Sequence, residues 1–110
     1  MEFASEVIMP ANEFLHLIQK SSIVSEAMIF SSADGKLRVE SEGDLISFSQ
    51  NIDAPIQKEF RVKFSTEYLI KLEKFFKKGN VTIGLSSDYP LRVEDDKGSW
   101  IILAPRVDDG

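Results

Sequence analysis

Lys71, Lys74 and Lys78 are spaced by three and four residues, which lines side chains along one face of a helix. An ammonium on a flexible stem is a mobile point charge, suited to phosphate and indifferent to base sequence. Lys77 widens the patch. The same spacing describes an ordinary solvated helix face with cations near the negative end of the helix dipole, so it leaves both readings open. Asp95-Asp96 and Asp108-Asp109 are adjacent pairs whose side chains diverge on a strand, and no Asp-x-Asp-x-Asp-Gly run accompanies them. They read as turn and tail charges, not as metal ligands or acid/base pairs. His16 is the sole histidine and has no acid four residues further on, so it reads as a surface or rim residue rather than a general base. The absence of cysteine removes disulfides, zinc knuckles, iron-sulfur clusters and thiol nucleophiles. With no glycine loop of phosphate-binding form either, neither an enzyme nor a cofactor is expected.

These residues sit in a chain of 110 residues with 13 basic and 18 acidic side chains, a net charge of −5. That length is one domain, residues 1–110, burying roughly two-thirds of its unfolded surface. An apolar content of 43% with 28% charged residues is globular composition. The acidic balance argues against nucleic-acid binding by the whole surface and leaves room for a local basic stripe. Nothing resembles a signal peptide or an apolar span of about 20 residues, so a soluble intracellular protein with no membrane role is expected.

The elements that must position the lysines follow from an internal repeat. A shift of 54 places sets Ser32-Ala33-Asp34-Gly35-Lys36-Leu37-Arg38-Val39-Glu40 on Ser86-Ser87-Asp88-Tyr89-Pro90-Leu91-Arg92-Val93-Glu94. The same ungapped shift places Glu13-Phe14-Leu15 on Glu67-Tyr68-Leu69, Lys20 on Lys74 and Ile29 on Ile83. Each half, about 7–50 and 61–104, reads as strand, helix and three-stranded meander. In the first, Val7-Ile8-Met9 leads through Pro10 into a helix carrying Phe14, Leu15, Leu17 and Ile18, ending near Lys20-Ser21-Ser22. Strands at 27–30 and 37–40 flank the Asp34-Gly35 turn, and a third strand spans Leu45 to Gln50. Asn51 to Gln57 is the expected connector. In the second half Phe60 to Phe64 alternates, Ser65 or Thr66 caps a helix, and Tyr68, Leu69, Leu72, Phe75 and Phe76 mark its buried face, with Gly79 ending it. Strands follow at Val81 to Leu85, Leu91 to Glu94 and Trp100 to Leu103. The apolar run 100–105 fits either a strand covered on both faces or one whose outer face meets a partner. The expected fold is α+β, a duplicated β-α-β-β-β unit with two helices packed on one face of antiparallel sheet.

The segment Ser87 to Glu94, followed by Leu103-Ala104-Pro105-Arg106-Val107-Asp108-Asp109, resembles the C-terminal end of the proliferating cell nuclear antigen family of DNA sliding clamps. Val7-Ile8-Met9-Pro10 with Glu13-Phe14, Asp34-Gly35-Lys36-Leu37, Glu42-Gly43-Asp44-Leu45 and Phe64-Ser65-Thr66-Glu67-Tyr68-Leu69 resemble the rest of the same domain in order. Clamp domains of this family are themselves duplicated β-α-β-β-β units. Family members join two such domains by a linker, and three subunits ring duplex DNA. The resemblance covers only the C-terminal domain, with Met1 to Ala4 falling where the linker ends; an excised domain, an internal-start product and a one-domain clamp all fit.

The resemblance implies site roles. His16, Lys20, Lys71, Lys74 and Lys78 fall on the helices that line the hole and would face DNA. Pro90, Ile102, Ala104, Pro105 and Arg106 match the pocket for short motifs of polymerases, ligases, nucleases and the clamp loader, here lacking the wall formed by the linker and N-terminal domain. Leu45, Ile46, Ser47, Phe48, Ser49 and Gln50 match the edge that pairs with the next subunit. The implied function is a non-enzymatic polymerase processivity domain for replication and repair, located in an archaeal cytoplasm or a eukaryotic nucleus. A second reading is a stand-alone module that binds clamp subunits or partners without touching DNA. Without the N-terminal domain, the chain is expected to be a monomer-dimer mixture that cannot encircle DNA.

Overall fold

The computed structural model describes residues 2–106; Val107, Asp108 and Asp109, named above, lie outside them. The chain runs β1 (Ser5–Pro10), α1 (Ala11–Val24), β2 (Ala27–Ala33), β3 (Lys36–Glu42), β4 (Ser47–Pro55), β5 (Arg61–Ser65), α2 (Thr66–Leu69), a 3-10 segment (Ile70–Lys74), β6 (Asn80–Leu85), β7 (Leu91–Asp95) and β8 (Trp100–Leu103). The class is α+β, with two four-stranded antiparallel sheets rather than one, ordered β1-β6-β7-β8 and β4-β3-β2-β5. Each β-α-β-β-β unit lends its first strand to the other unit's sheet: β1 pairs with β6, and β5 with β2. The exchange is tied at both helix starts. The N–H of Ala11 donates to the Gly79 carbonyl and that of Thr66 to the Glu26 carbonyl, both at 2.9 Å.

Alternation explains the strands: Val7 and Met9 of β1 point inward while Glu6 and Ile8 point out, and Val62 and Phe64 of β5 do the same against Arg61. α1 packs on the second sheet through Phe14, whose ring lies 6.5 Å from Phe30, which in turn meets Phe64 edge-on at 5.8 Å. Leu37, Val39, Ile83, Leu91 and Val93 complete a continuous core between sheets and helices.

The duplication is present, but one ungapped shift does not describe it. Shifting by 54 keeps faces in phase at the hairpins, where Leu37 and Val39 match Leu91 and Val93 as buried residues and Asp34 and Asp88 share a left-handed φ of 51° and 50°. In the helices buried Phe14 corresponds to buried Leu69, not to exposed Tyr68. In β2 and β6 half-exposed Ile29 and buried Ile83 face opposite ways. A one-residue slip reverses every side chain of a strand, so the offsets are set by which residues reach the core.

Three expected boundaries change. α1 continues to Val24, with Ser21 buried and the Ser25 N–H bonded to the Ser21 carbonyl, because no glycine or proline interrupts it. The second helix has only four α-helical residues and then five in 3-10 form, ending at Lys74 rather than near Gly79. Neither Ser65 nor Thr66 caps it through a side chain; the Thr66 hydroxyl donates to the Ser25 carbonyl at 2.9 Å instead. The third expected strand moves C-terminally: β4 begins at Ser47 and absorbs residues 51–55 of the supposed connector. Leu45 and Ile46 therefore lie in the β3–β4 turn, closed by the Gly43 N–H on the Ile46 carbonyl at 2.8 Å. Pro55 is accepted at the end of β4 because that strand is an edge and its missing N–H faces no partner.

Candidate functional site

The expected DNA-facing side chains separate into two places. His16 and Lys20 on α1 border a shallow depression with Asn12, Glu13, Leu17 and Gln50 of β4, and the Lys20 ammonium lies 5.9 Å from the Phe48 ring. Lys71 and Lys74 sit three apart in the 3-10 segment, where side chains eclipse, so both project on one side. Lys78 is beyond the helix, in the loop before β6. There it joins Lys74, Lys77 and Lys97 around an open depression that also holds Asp95 and Asp96. Lys97 was not among the expected residues; its signal was the β6–β7 register, which seats the 96–98 turn beside the start of β6. α1, α2 and the 3-10 segment pack side by side, forming one helical layer.

The expected partner pocket lies on the outer face of the first sheet and along its last strand. Arg92 pairs with Ile102 and Leu91 with Leu103, and that register extended by one sets Pro90 opposite Ala104. Ile102 and Trp100 are exposed and Pro90 half-buried. Arg92 stacks 5.5 Å from the Trp100 ring and pairs with Glu94. Pro105 and Arg106 leave this sheet: the Arg106 N–H donates to the Lys63 carbonyl of β5 at 2.8 Å, and its guanidinium reaches Glu26. They thus bridge the sheets instead of lining the face.

Phe3 and Tyr89 belong to this face and were missed. A Cβ on Gly84 would lie 2.5 Å from Phe3 Cδ2, so the ring rests directly on the glycine, and it meets Tyr89 edge-on at 6.2 Å. A glycine inside a strand is the sequence signal for such a close approach.

The sheets' four edges are unequally protected. On β1 the Glu6 N–H is taken by the Gln57 side chain at 2.8 Å, while buried Ser5 Oγ binds Gln57 and Lys58 backbone groups. β5 is partly covered by Arg106 and Ser87. Among the described residues β4 and β8 have no second partner, one open edge per sheet. Of the expected subunit edge, Ser47, Phe48, Ser49 and Gln50 are on β4; Leu45, at 98% exposure, and Ile46 are beside it. Also among the described residues, no three His, Asp or Glu side chains converge, so no metal-binding set is assembled, and no helix is long and apolar enough to cross a membrane.

No family model matches the chain. A DNA polymerase sliding clamp from Thermococcus fumicolans is 23% identical over 122 aligned residues, covering 99% of this chain and 49% of that protein. A chain in the solved structure titled C-terminal region of FEN-1 bound to A. fulgidus PCNA is 30% identical, with a TM-score of 0.87, across 100% of this chain and 49% of its own. This chain therefore spans about half the length of the relatives it matches. Superposing on that structure along its whole length, the chain has the fold of a PCNA-type sliding-clamp domain.

Proposed function

We propose that the chain is the C-terminal domain of a PCNA-type clamp, a non-enzymatic processivity domain that helps a ring encircle duplex DNA and tethers replication and repair enzymes. The observation that carries the reading is the fold match along the whole chain, with Lys20, Lys71 and Lys74 on the helical layer. Lys71, Lys74 and Lys78, with His16 and Lys20, would face phosphate without reading base sequence. The face of Phe3, Tyr89, Pro90 and Ile102 would take a short apolar partner motif of the kind nucleases, polymerases, ligases and a clamp loader carry; the solved relative is itself titled as bound to a FEN-1 segment. Ala104 would border that face, with Pro105 and Arg106 carrying the chain from it to β5. The open β4 edge, Ser47 to Gln50, would pair with a neighbouring clamp domain, with Leu45 and Ile46 beside it. Action on DNA would place the protein in an archaeal cytoplasm or a eukaryotic nucleus.

In a ring containing this domain, Lys74→Glu should weaken retention on closed circular duplex and lower the salt slope by about one to two units, independent of base sequence. Unchanged retention and salt dependence would make Lys74 a solvated surface charge. The isolated chain should be a monomer-dimer mixture, with dimer lost in Phe48→Lys; a stable hexamer by solution mass measurement would refute that expectation.

A further inference from the structure

The second helical segment leaves two aromatic rings in solvent among its lysines. Tyr68 is 51% and Phe75 63% exposed, although Leu69, Leu72 and Phe76 beside them fill the core. Leaving a large ring in water forgoes about 2 kcal/mol of burial, so such rings flanking one short segment are candidates for ligand contact. The Lys71 ammonium stands 5.3 Å from the Tyr68 ring centroid. Phe75 shares an open depression of about 490 Å³ with Lys74, Lys77, Lys78 and Lys97. Among the described residues no carboxylate lies within ion-pairing distance of these lysines or of Lys71. Two acids share the depression. Asp95 Oδ1 already accepts the N–H groups of Lys97 and Ser99, each at 2.9 Å, and Asp96 packs over Gly79. Four lysines against two aspartates leave the depression positive.

We propose that this stripe binds single-stranded nucleic acid, with phosphates held by the lysines and unpaired bases stacked on Tyr68 and Phe75. A duplex would use the lysines but not the rings, because its base faces are covered by their neighbours; an unpaired strand offers free π-faces, and aromatic residues interleaved with cations are what such strands bind. The seven steps from Tyr68 to Phe75 span roughly 13 Å, at about 1.5 Å per α-helical and about 2 Å per 3-10 residue, room for a few nucleotides. The proposal shares lysines with the DNA-facing reading above and adds a different ligand state.

The test is fluorescence anisotropy of the full chain at low salt with three labelled probes: oligothymidylate about 15 nucleotides long, an abasic strand of the same length and a hairpin duplex. Oligothymidylate should bind more tightly than the abasic strand. Tyr68→Ala and Phe75→Ala should each weaken it about tenfold without changing abasic binding, and Tyr68→Phe should retain it. Lys74→Glu combined with Lys77→Glu should weaken both strands. Circular dichroism melting checks that the variants are folded. Equal affinity for thymidylate and abasic strands, silent aromatic variants, or no thymidylate binding would each overturn the proposal. The earlier reading stands or falls separately, on retention of assembled rings on closed duplex.

Discussion

The two helical segments hold equivalent places in a duplicated unit and use their residues in opposite ways. α1 is a regular helix of 14 residues whose Phe14, Leu17 and Ile18 are buried. Its counterpart has four α-helical and five 3-10 residues, buries Leu69 and Leu72, and leaves Tyr68 and Phe75 in solvent. A 3-10 turn repeats every three residues, so Leu69 and Leu72 eclipse on the core side while Tyr68 and Phe75, which the 3.6-residue periodicity assigns to the buried face, are left outside it. Both copies thus serve the core, and only the second also leaves Phe and Tyr rings in solvent among its lysines.

The largest expected effect tests that division. Phe14→Ala should cost about 3–5 kcal/mol in urea unfolding, because it deletes a ring packed on Phe30, whereas Phe75→Ala should stay within about 0.5 kcal/mol. Comparable losses at both would show that the Phe75 ring is packed as core rather than left in solvent.

The comparison extends to the turns that close the two meanders. In the β3–β4 turn a Cβ on Gly43 would lie 2.3 Å from the Val24 carbonyl oxygen, a backbone atom at the end of α1. The glycine of the β7–β8 turn, Gly98, has open space but a φ of +90°. Gly43→Ala should therefore cost about 2–3 kcal/mol by overpacking, and Gly98→Ala about 1 kcal/mol by conformational strain alone. Chemical denaturation of both variants decides, and equal losses would mean that the turns share one constraint.

A smaller effect contrasts the outer faces of the two sheets. Gly84→Ala should displace Phe3 and cost about 1 kcal/mol, relieved in part when combined with Phe3→Ala; additivity in that double-mutant cycle would remove Phe3 from the face. The smallest belongs to the other sheet, where Lys36 and Asp53 pair at 3.3 Å with both side chains largely exposed. Asp53→Asn should change the melting free energy by less than about 0.5 kcal/mol, and that little should vanish at high salt.

Much of the fold was readable residue by residue. β7 and β8 fall within a residue of their expected bounds, since alternating Leu91-Arg92-Val93 and a turn at Asp96-Lys97-Gly98 leave little choice. β4 was misplaced because Ser47 to Asp53 carries few apolar residues; it is an edge strand whose inward face is completed late, by Ile52 and Ala54. The lysines were legible as a group, but their division between helix and loop was not, because periodicity does not distinguish α from 3-10 geometry. Phe3 escaped notice because a glycine within a strand signals a close approach without saying which residue, about eighty positions away, makes it.

The sequence by itself determined the strand alternation, the Asp34-Gly35 hairpin, the duplicated plan and the family resemblance, because these depend on local backbone preference and on the order of residue types. Only the tertiary structure decided which strands exchange between units, which register each repeat adopts, which edges stay open and which aromatic rings remain in solvent. Those depend on competition for one shared core: a one-residue offset exchanges buried and exposed faces, and only the packed molecule selects between them.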